Sequence, residues 1–485
     1  MKDTIPQPYQ PTEVKKIGAV LIQVLEKYYQ ECYQAKGRSV PELNPSHLIE
    51  LAQSSLDNPS RSFAELAELA LSLGHRLHDP RYMGHQVPPV IPVSALFDIL
   101  GTAANQGAAV FEMAPFGTAA ERAVVQELGK LVGWTAGTFA GIGTHGGTLA
   151  NVTALLAARN IRYSKVWREG MASSSALKPA IMTSEDSHYC IARACGILGL
   201  GTSQLIKVPI DDRRKMDLFE ARKLLLKSKE QGFDVFAIVG SACTTPTGSF
   251  DDLEGVAALA KEFKLWFHVD GAHGASFLFS ERYKSLLKGA ELADSLTWDA
   301  HKMLFVPALS TYLLYKNAEH SWEAFAQDAP YLFDPKDPQG LAEFDGGLRT
   351  FECTKGALSL GLWGVWSLYG KEFLASLIER AMESTKVFYD LLKASPDFEP
   401  AHVPECNILC FQFKPTSMGT DLEKLSELQF KIRKRLLRDG EGYITGTRLG
   451  GRYYLRVTVI NPLTSKEHFV SLMDKIRDVA PNLES

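Results

Sequence analysis

Apolar residues recur at helical spacing over residues 12–80, as in Ile17-Gly18-Ala19-Val20-Leu21-Ile22-Gln23-Val24-Leu25 and Phe63-Ala64-Glu65-Leu66-Ala67-Glu68-Leu69-Ala70. That spacing places one apolar stripe along a helix and predicts an N-terminal helical arm, residues 1–85. From about residue 86 to 315 the texture changes to short apolar runs separated by longer helical patterns. The strand candidates are Ala180–Thr183, Phe236–Gly240, Leu265–Val269, Ser295–Trp298 and Thr311–Tyr315, with helical stretches such as 253–263 between them. Runs without clean polar alternation, joined through helices, predict an α/β fold with a mostly parallel central sheet covered on both faces. In such sheets ligands collect at the carboxyl ends of the strands. Pro330 to Gly340, rich in Pro, Asp and Gly, reads as an exposed, mobile loop. Beyond it, helical patterns at 356–394 and a clear strand, Tyr453–Ile460, predict a smaller C-terminal α/β domain. The expected division is a large domain over 86–365 and a small one over 366–485, without internal repeats.

Composition narrows the partners. The chain has 485 residues, 45% of them apolar, and a net charge of −4, which suits two or more domains around sizeable cores. Basic residues are dispersed, and the one compact run, Lys431-Ile432-Arg433-Lys434-Arg435, sits in a helical pattern as a solvated face. No nucleic-acid partner is expected. The N-terminus lacks an apolar core of signal-peptide length, and no run approaches the roughly 20 residues of a membrane span, so a cytoplasmic protein without membrane association is expected. Seven scattered cysteines without CxxC spacing indicate neither a disulfide framework nor a metal site. Cys406 and Cys410 lie in a strand-like run and read as core thiols.

The candidate chemistry centres on Ser295-Leu296-Thr297-Trp298-Asp299-Ala300-His301-Lys302, an apolar strand running out into a polar tip. A lone His-Lys pair at a strand end is ordinarily a surface feature. About thirty residues earlier, however, Phe267-His268-Val269-Asp270-Gly271-Ala272 ends a second strand on an aspartate between small residues. A lysine amine able to form a Schiff base and a carboxylate able to hold a pyridinium nitrogen are what pyridoxal phosphate requires of a protein. Gly141-Ile142-Gly143-Thr144-His145-Gly146-Gly147-Thr148 precedes a well-patterned helix over 149–159. Glycines let a backbone approach an anion, and a helix start supplies unpaired N–H groups, although structural turns of this composition are commoner. The loop matches neither the dinucleotide fingerprint nor a P-loop. His188, in the polar knot Ser184–Cys190, is either a hydrogen-bonded loop histidine or a ring stacked on a flat heteroaromatic. Thr244 and Thr245 present hydroxyls after another strand, in a turn that is equally readable as plain.

Taken together, these stretches resemble the group II pyridoxal-phosphate decarboxylases, the family of glutamate, cysteine sulfinate, aromatic amino acid and diaminobutyrate decarboxylases. The resemblance runs from about residue 75 to 475. It implies a fold-type I, aspartate aminotransferase-like architecture, pyridoxal 5'-phosphate as cofactor, a small amino acid substrate, and a homodimer whose mobile loop reaches across the subunit interface. The N-terminal arm would then wrap the partner. The family's phosphate loop is similar to Gly146-Gly147-Thr148, its ring-stacking histidine to His188 and its hydroxyl near the cofactor oxygen to Thr245. Its Asp-x-Ala under the ring falls on Asp270 and Ala272, and its His-Lys on His301 and Lys302. The loop tyrosine that delivers a proton matches Tyr331, and the arginine for the substrate α-carboxylate matches Arg456. One departure stands out. Many members carry Asn-Pro-His-Lys, the asparagine helping to hold the phosphate, where this chain has Asp299-Ala300-His301-Lys302. An ionised Asp299 against a phosphate is unfavourable, so its side chain is expected to point elsewhere, with Ser295 or the His301 backbone compensating.

The resemblance implies α-decarboxylation of an L-amino acid. Phe111–Pro115, Leu128–Trp134 and Ser295–Trp298 look more like glutamate and cysteine sulfinate decarboxylases than the aromatic branch, which favours glutamate, aspartate or cysteine sulfinate. An aromatic amino acid or diaminobutyrate is the alternative, and Tyr82, His85, Gln86 and His145 do not decide it. An aminotransferase or lyase would use the same Lys302 and Asp270, and a catalytically silent homologue would keep the fold alone.

Overall fold

The five apolar runs become inner strands of one sheet. A computed structural model describes residues 6–41, 44–57, 59–171, 178–325, 340–416 and 421–483. Its larger sheet comprises Ala140–Thr144 (β1), Lys178–Ser184 (β2), Leu205–Val208 (β3), Phe233–Ser241 (β4), Trp266–Asp270 (β5), Ser295–Asp299 (β6) and Thr311–Tyr315 (β7). They lie in the order β1-β7-β6-β5-β4-β2-β3. The run from β6 to β3 is parallel, whereas β7 is antiparallel to both β6 and β1. Every residue of β5, β6 and β7 is buried, which is why these strands show no polar alternation in sequence.

Two strands escape the apolar pattern. β1 lies within what reads in sequence as a glycine-rich loop, because Gly141 and Gly143 weaken the strand signal. Packing explains them: a Cβ on Gly141 would meet Leu314 at 2.6 Å and Val125 at 2.9 Å, and one on Gly143 would meet Glu121 Oε2 at 2.4 Å. The helix Pro115–Val132 therefore sits too close to this strand for side chains. β3 is only four residues long and half exposed.

The chain divides into two compact units, one of residues 90–386 and 402–409 and the other of residues 1–89, 387–401 and 410–485. The first holds the seven-stranded sheet. The second holds an antiparallel sheet of Phe398–Pro400 (β8), Ile408–Phe413 (β9), Thr445–Leu449 (β10) and Arg452–Thr458 (β11), ordered β10-β11-β9-β8. Its helices Leu422–Asp439 and Lys466–Val479 pack against each other and supply buried leucines, isoleucines and Phe469 to its core, where Phe388 stacks on Phe469 at 4.6 Å. The N-terminal helices Pro11–Tyr33, Pro45–Asp57 and Phe63–Ser72 belong to this same unit. The Ser39 N–H donates to the Gly440 carbonyl at 2.8 Å and the Met83 N–H to that of Tyr443 at 2.9 Å, so the segment is stitched to the C-terminal strands. The division at 386/387, where one near 366 was expected, falls inside the helical stretch Leu360–Ala394, which is interrupted at Gly370 (φ 75°). Among the described residues, no helix is long and apolar enough to cross a membrane.

Candidate active site

The period of two along a strand places Trp266, His268 and Asp270 on one face of β5, and Ser295, Thr297 and Asp299 on one face of β6. Parallel pairing sets His268 beside Ser295 and Asp270 beside Thr297. The helix Gly147–Arg162 covers this face. One turn into it, the buried Asn151 carboxamide bonds to both strands. Its Nδ2 donates to Asp270 Oδ2 at 3.0 Å, while its Oδ1 receives the Thr297 hydroxyl at 2.8 Å and His268 Nε2 at 2.7 Å. The other Asp270 oxygen accepts the Ala272 N–H at 3.2 Å. Asp270 is thus a buried carboxylate with both oxygens oriented, at the carboxyl end of β5.

Beyond β6 the chain enters the short helix Ala300–Met303, which presents Lys302. The Lys302 Nζ lies 2.9 Å from Asp299 Oδ2, and Thr311 on β7 donates to Asp299 Oδ1 at 2.5 Å. Burial works to discharge the Lys302 amine, but the Asp299 carboxylate, with Asp270 further off, outweighs it and raises its pKa. Burial likewise pushes the Asp299 carboxyl up, and Lys302, His301 and the Thr311 hydrogen bond outweigh it, holding it below the ordinary range. The expectation that Asp299 points away from the glycine turn is not met. A Cβ on Gly147 would lie 2.9 and 3.0 Å from the two Asp299 oxygens. The carboxylate faces the first turn of the helix because Thr311 and Lys302 hold it there, and their donors neutralise it. His301 is buried with Nδ1 2.9 Å from the Ser310 carbonyl oxygen.

The turn before the helix has Gly146 at φ 95°, a backbone region that favours glycine. Thr148 follows in the first helical turn. His188 lies half-buried after β2, its Nδ1 accepting the Cys190 N–H at 3.3 Å, which leaves the proton of the neutral ring on Nε2. Burial, reinforced by the Lys302 and Arg193 charges and opposed by Asp270 and Asp299, holds its pKa below the ordinary value. Thr245 is half-buried in the turn after β4. The 90–386 unit therefore contains Lys302, Asp270, His188, Thr245 and the Gly146–Thr148 turn at the carboxyl ends of its strands and the start of one helix. Arg456 belongs to the other unit, on β11, where it is buried with Nη1 3.4 Å from the Gly84 carbonyl oxygen and 3.3 Å from Thr445 Oγ1. Tyr331 and the rest of 326–339 lie outside the described residues.

Ser295 requires correction. It begins β6, at the opposite end from Asp299, and its Oγ is taken by Trp266 Nε1 at 2.9 Å and His268 Nδ1 at 2.8 Å. It supports His268 and does not face Lys302. Asn151, His268, Thr297 and Thr311 were not singled out from sequence. The signal was available for the first two: a single amide in the apolar pattern 149–158, and an imidazole inside an apolar strand.

These side chains fit a pyridoxal phosphate. The half-buried Lys302 amine can take a carbonyl carbon, the oriented carboxylate can hold a protonated ring nitrogen, and the glycine turn leaves backbone N–H groups open to an anion at a helix start. Among the described residues no group of His, Cys, Asp and Glu is arranged to hold a metal ion.

Comparison with known proteins agrees with this chemistry. The model of the pyridoxal-dependent decarboxylase conserved domain matches residues 74–414. An L-aspartate decarboxylase of Metarhizium robertsii is 32% identical over 361 residues, 74% of this chain and 70% of that protein. The cysteine sulfinic acid decarboxylase of Mus musculus is 28% identical over 454 residues, 90% of each chain. The crystal structure of mouse CSAD superposes with a TM-score of 0.90 at 24% identity, over 97% of this chain and 99% of that one, a likeness of fold.

Proposed function

Because the chain belongs to the pyridoxal-dependent decarboxylase family, we propose that it removes the α-carboxyl group of an acidic L-amino acid as CO2, using pyridoxal 5'-phosphate held at Lys302. The observation that carries this reading is the half-buried Lys302 amine in the turn after β6, ion-paired to Asp299, beside a strand whose last residue, Asp270, is a carboxylate oriented by Asn151 and Ala272. Bound there, the cofactor supplies an electron sink for the pair left when CO2 departs.

The protein's own groups do the rest. Asp270, oriented by Asn151 and Ala272, would pair with the protonated ring nitrogen. His188 would stack on the ring and set the orientation of the bond to be broken. Gly147 and Thr148 would offer backbone donors to the phosphate, and Thr245 a hydroxyl to the ring oxygen. Arg456 would take the substrate α-carboxylate, and Tyr331 would deliver the proton to the α-carbon. The acidic substrate class rests on the relatives, whose names are those of enzymes acting on aspartate and cysteine sulfinic acid.

A homodimer accounts for the apolar surface of the N-terminal helices, where Val14 is 69% and Leu56 77% exposed and a second copy would cover them. The seven cysteines are thiols, six of them buried and Cys353 exposed, which suits a reducing compartment such as the cytoplasm. The test is CO2 release over glutamate, aspartate, cysteine sulfinate, diaminobutyrate, tyrosine and dopa. Turnover of an acidic member is expected. Turnover confined to tyrosine, dopa or diaminobutyrate overturns the substrate class, and CO2 from none of them overturns the decarboxylase reading.

A further inference from the structure

The contacts behind Asp270 form a chain whose direction is dictated by chemistry. The Trp266 indole can only donate, so Ser295 Oγ accepts from it and turns its own hydrogen to His268 Nδ1. Asn151 donates through Nδ2 to the Asp270 carboxylate, so its Oδ1 must face His268 and Thr297 and can only accept. His268 therefore carries its proton on Nε2 and receives at Nδ1. Its ring is fully buried, and burial, opposed by a hydrogen bond to the Ser295 backbone, pushes its pKa down to about 3, so it is neutral at working pH. Each hydrogen bond in the series Ser295, His268, Asn151, Asp270 points the same way, toward the carboxylate. Aligned donors in a dry interior polarise one another and so strengthen the hydrogen bond that orients the terminal acceptor.

We infer that His268 is a positioning residue: through Asn151 it aims the Asp270 carboxylate, and so sets the protonation state of the cofactor ring nitrogen without touching it. This rests on the reading of Asp270 as the ring-nitrogen partner. The same geometry assigns Ser295 the task of fixing the His268 tautomer. A packing role alone would need neither the polarity nor the tautomer, because a phenyl ring has the shape of imidazole.

Three variants separate these cases. His268→Gln keeps a donor toward Asn151, His268→Phe keeps bulk without one, and Ser295→Ala releases the tautomer with the loss of one oxygen. In histidine-labelled, cofactor-free protein, nitrogen NMR should show His268 protonated on Nε2 and bare at Nδ1. The opposite tautomer overturns the inference. In protein loaded with ring-15N pyridoxal phosphate, His268→Phe should move the ring nitrogen toward its unprotonated shift, about tenfold in protonation equilibrium per pKa unit lost. Ser295→Ala should move it less in the same direction, and His268→Gln should stay near wild type. Turnover should follow kcat and leave KM unchanged. If His268→Phe does not fold, Ser295→Ala carries the test, and a wild-type ring-nitrogen shift and wild-type His268 tautomer in that variant overturn the inference. Wild-type protein that takes up no pyridoxal phosphate defeats the reading of the site itself. Normal uptake with unshifted ring nitrogen in His268→Phe defeats the positioning role alone.

Discussion

The Lys302 amine and the Asp299 carboxylate form an ion pair at 2.9 Å, three residues apart across the junction of β6 and a single helical turn. Asp299 is 2% exposed and takes a second hydrogen bond from Thr311, so the pair is a fixed feature of the pocket. Its effect on Lys302 is to hold charge on a group that must lose its proton before it can attack a carbonyl.

Asp299→Asn therefore gives a directional expectation. With the carboxylate gone, burial dominates and the Lys302 amine becomes easier to deprotonate. Uptake of pyridoxal phosphate by the cofactor-free protein should quicken at neutral pH, about tenfold for each unit by which the amine pKa falls. The pH midpoint of the uptake rate should move down. An unchanged midpoint would mean that Asp299 does not govern the amine.

Asp270→Asn preserves shape and removes the charge. Two oriented donors, from Asn151 and Ala272, now face a group that cannot stabilise a protonated ring nitrogen. Turnover should drop by about tenfold for every pKa unit lost at that nitrogen, while substrate KM changes little. Steady-state CO2 release separates the two parameters. A loss expressed in KM alone would contradict the electron-sink role.

Stability should carry the mark of His268. Its folded pKa is pushed down to about 3 by burial, whereas the unfolded ring titrates near 6.5. Between those values the unfolded chain binds a proton that the folded chain refuses, so acidification favours unfolding, by about 1.4 kcal/mol per pH unit at full effect. Above roughly pH 6.5 this contribution vanishes. Urea midpoints compared at neutral pH and at about pH 4.5 should fall further for wild type than for His268→Gln. Parallel losses in the two proteins would mean that this ring is not the group responsible.

Much of this was legible in the linear chain. Apolar runs such as Thr311–Tyr315 need no alternation when both faces of a strand are buried, and the length and spacing of those runs were enough to predict a parallel sheet. Lys302 and Asp270 stood out because a charged residue at the end of an apolar strand is costly unless it has a task. Spacing alone does not determine which surfaces approach. The strand β1 read as a loop because its glycines report the nearness of Pro115–Val132, a contact between distant segments. The orientation of Asp299 was likewise misjudged from local charge logic, since Thr311 and Lys302 converge on it only when β7 folds back beside β6. Ser295 belongs to the same class of residue. In sequence it is seven positions from Lys302, yet the register of β5 against β6 gives its hydroxyl to His268. Residue types at strand ends revealed the chemistry of the site, while cross-strand register and one helix laid over the sheet decided which donors hold each charge.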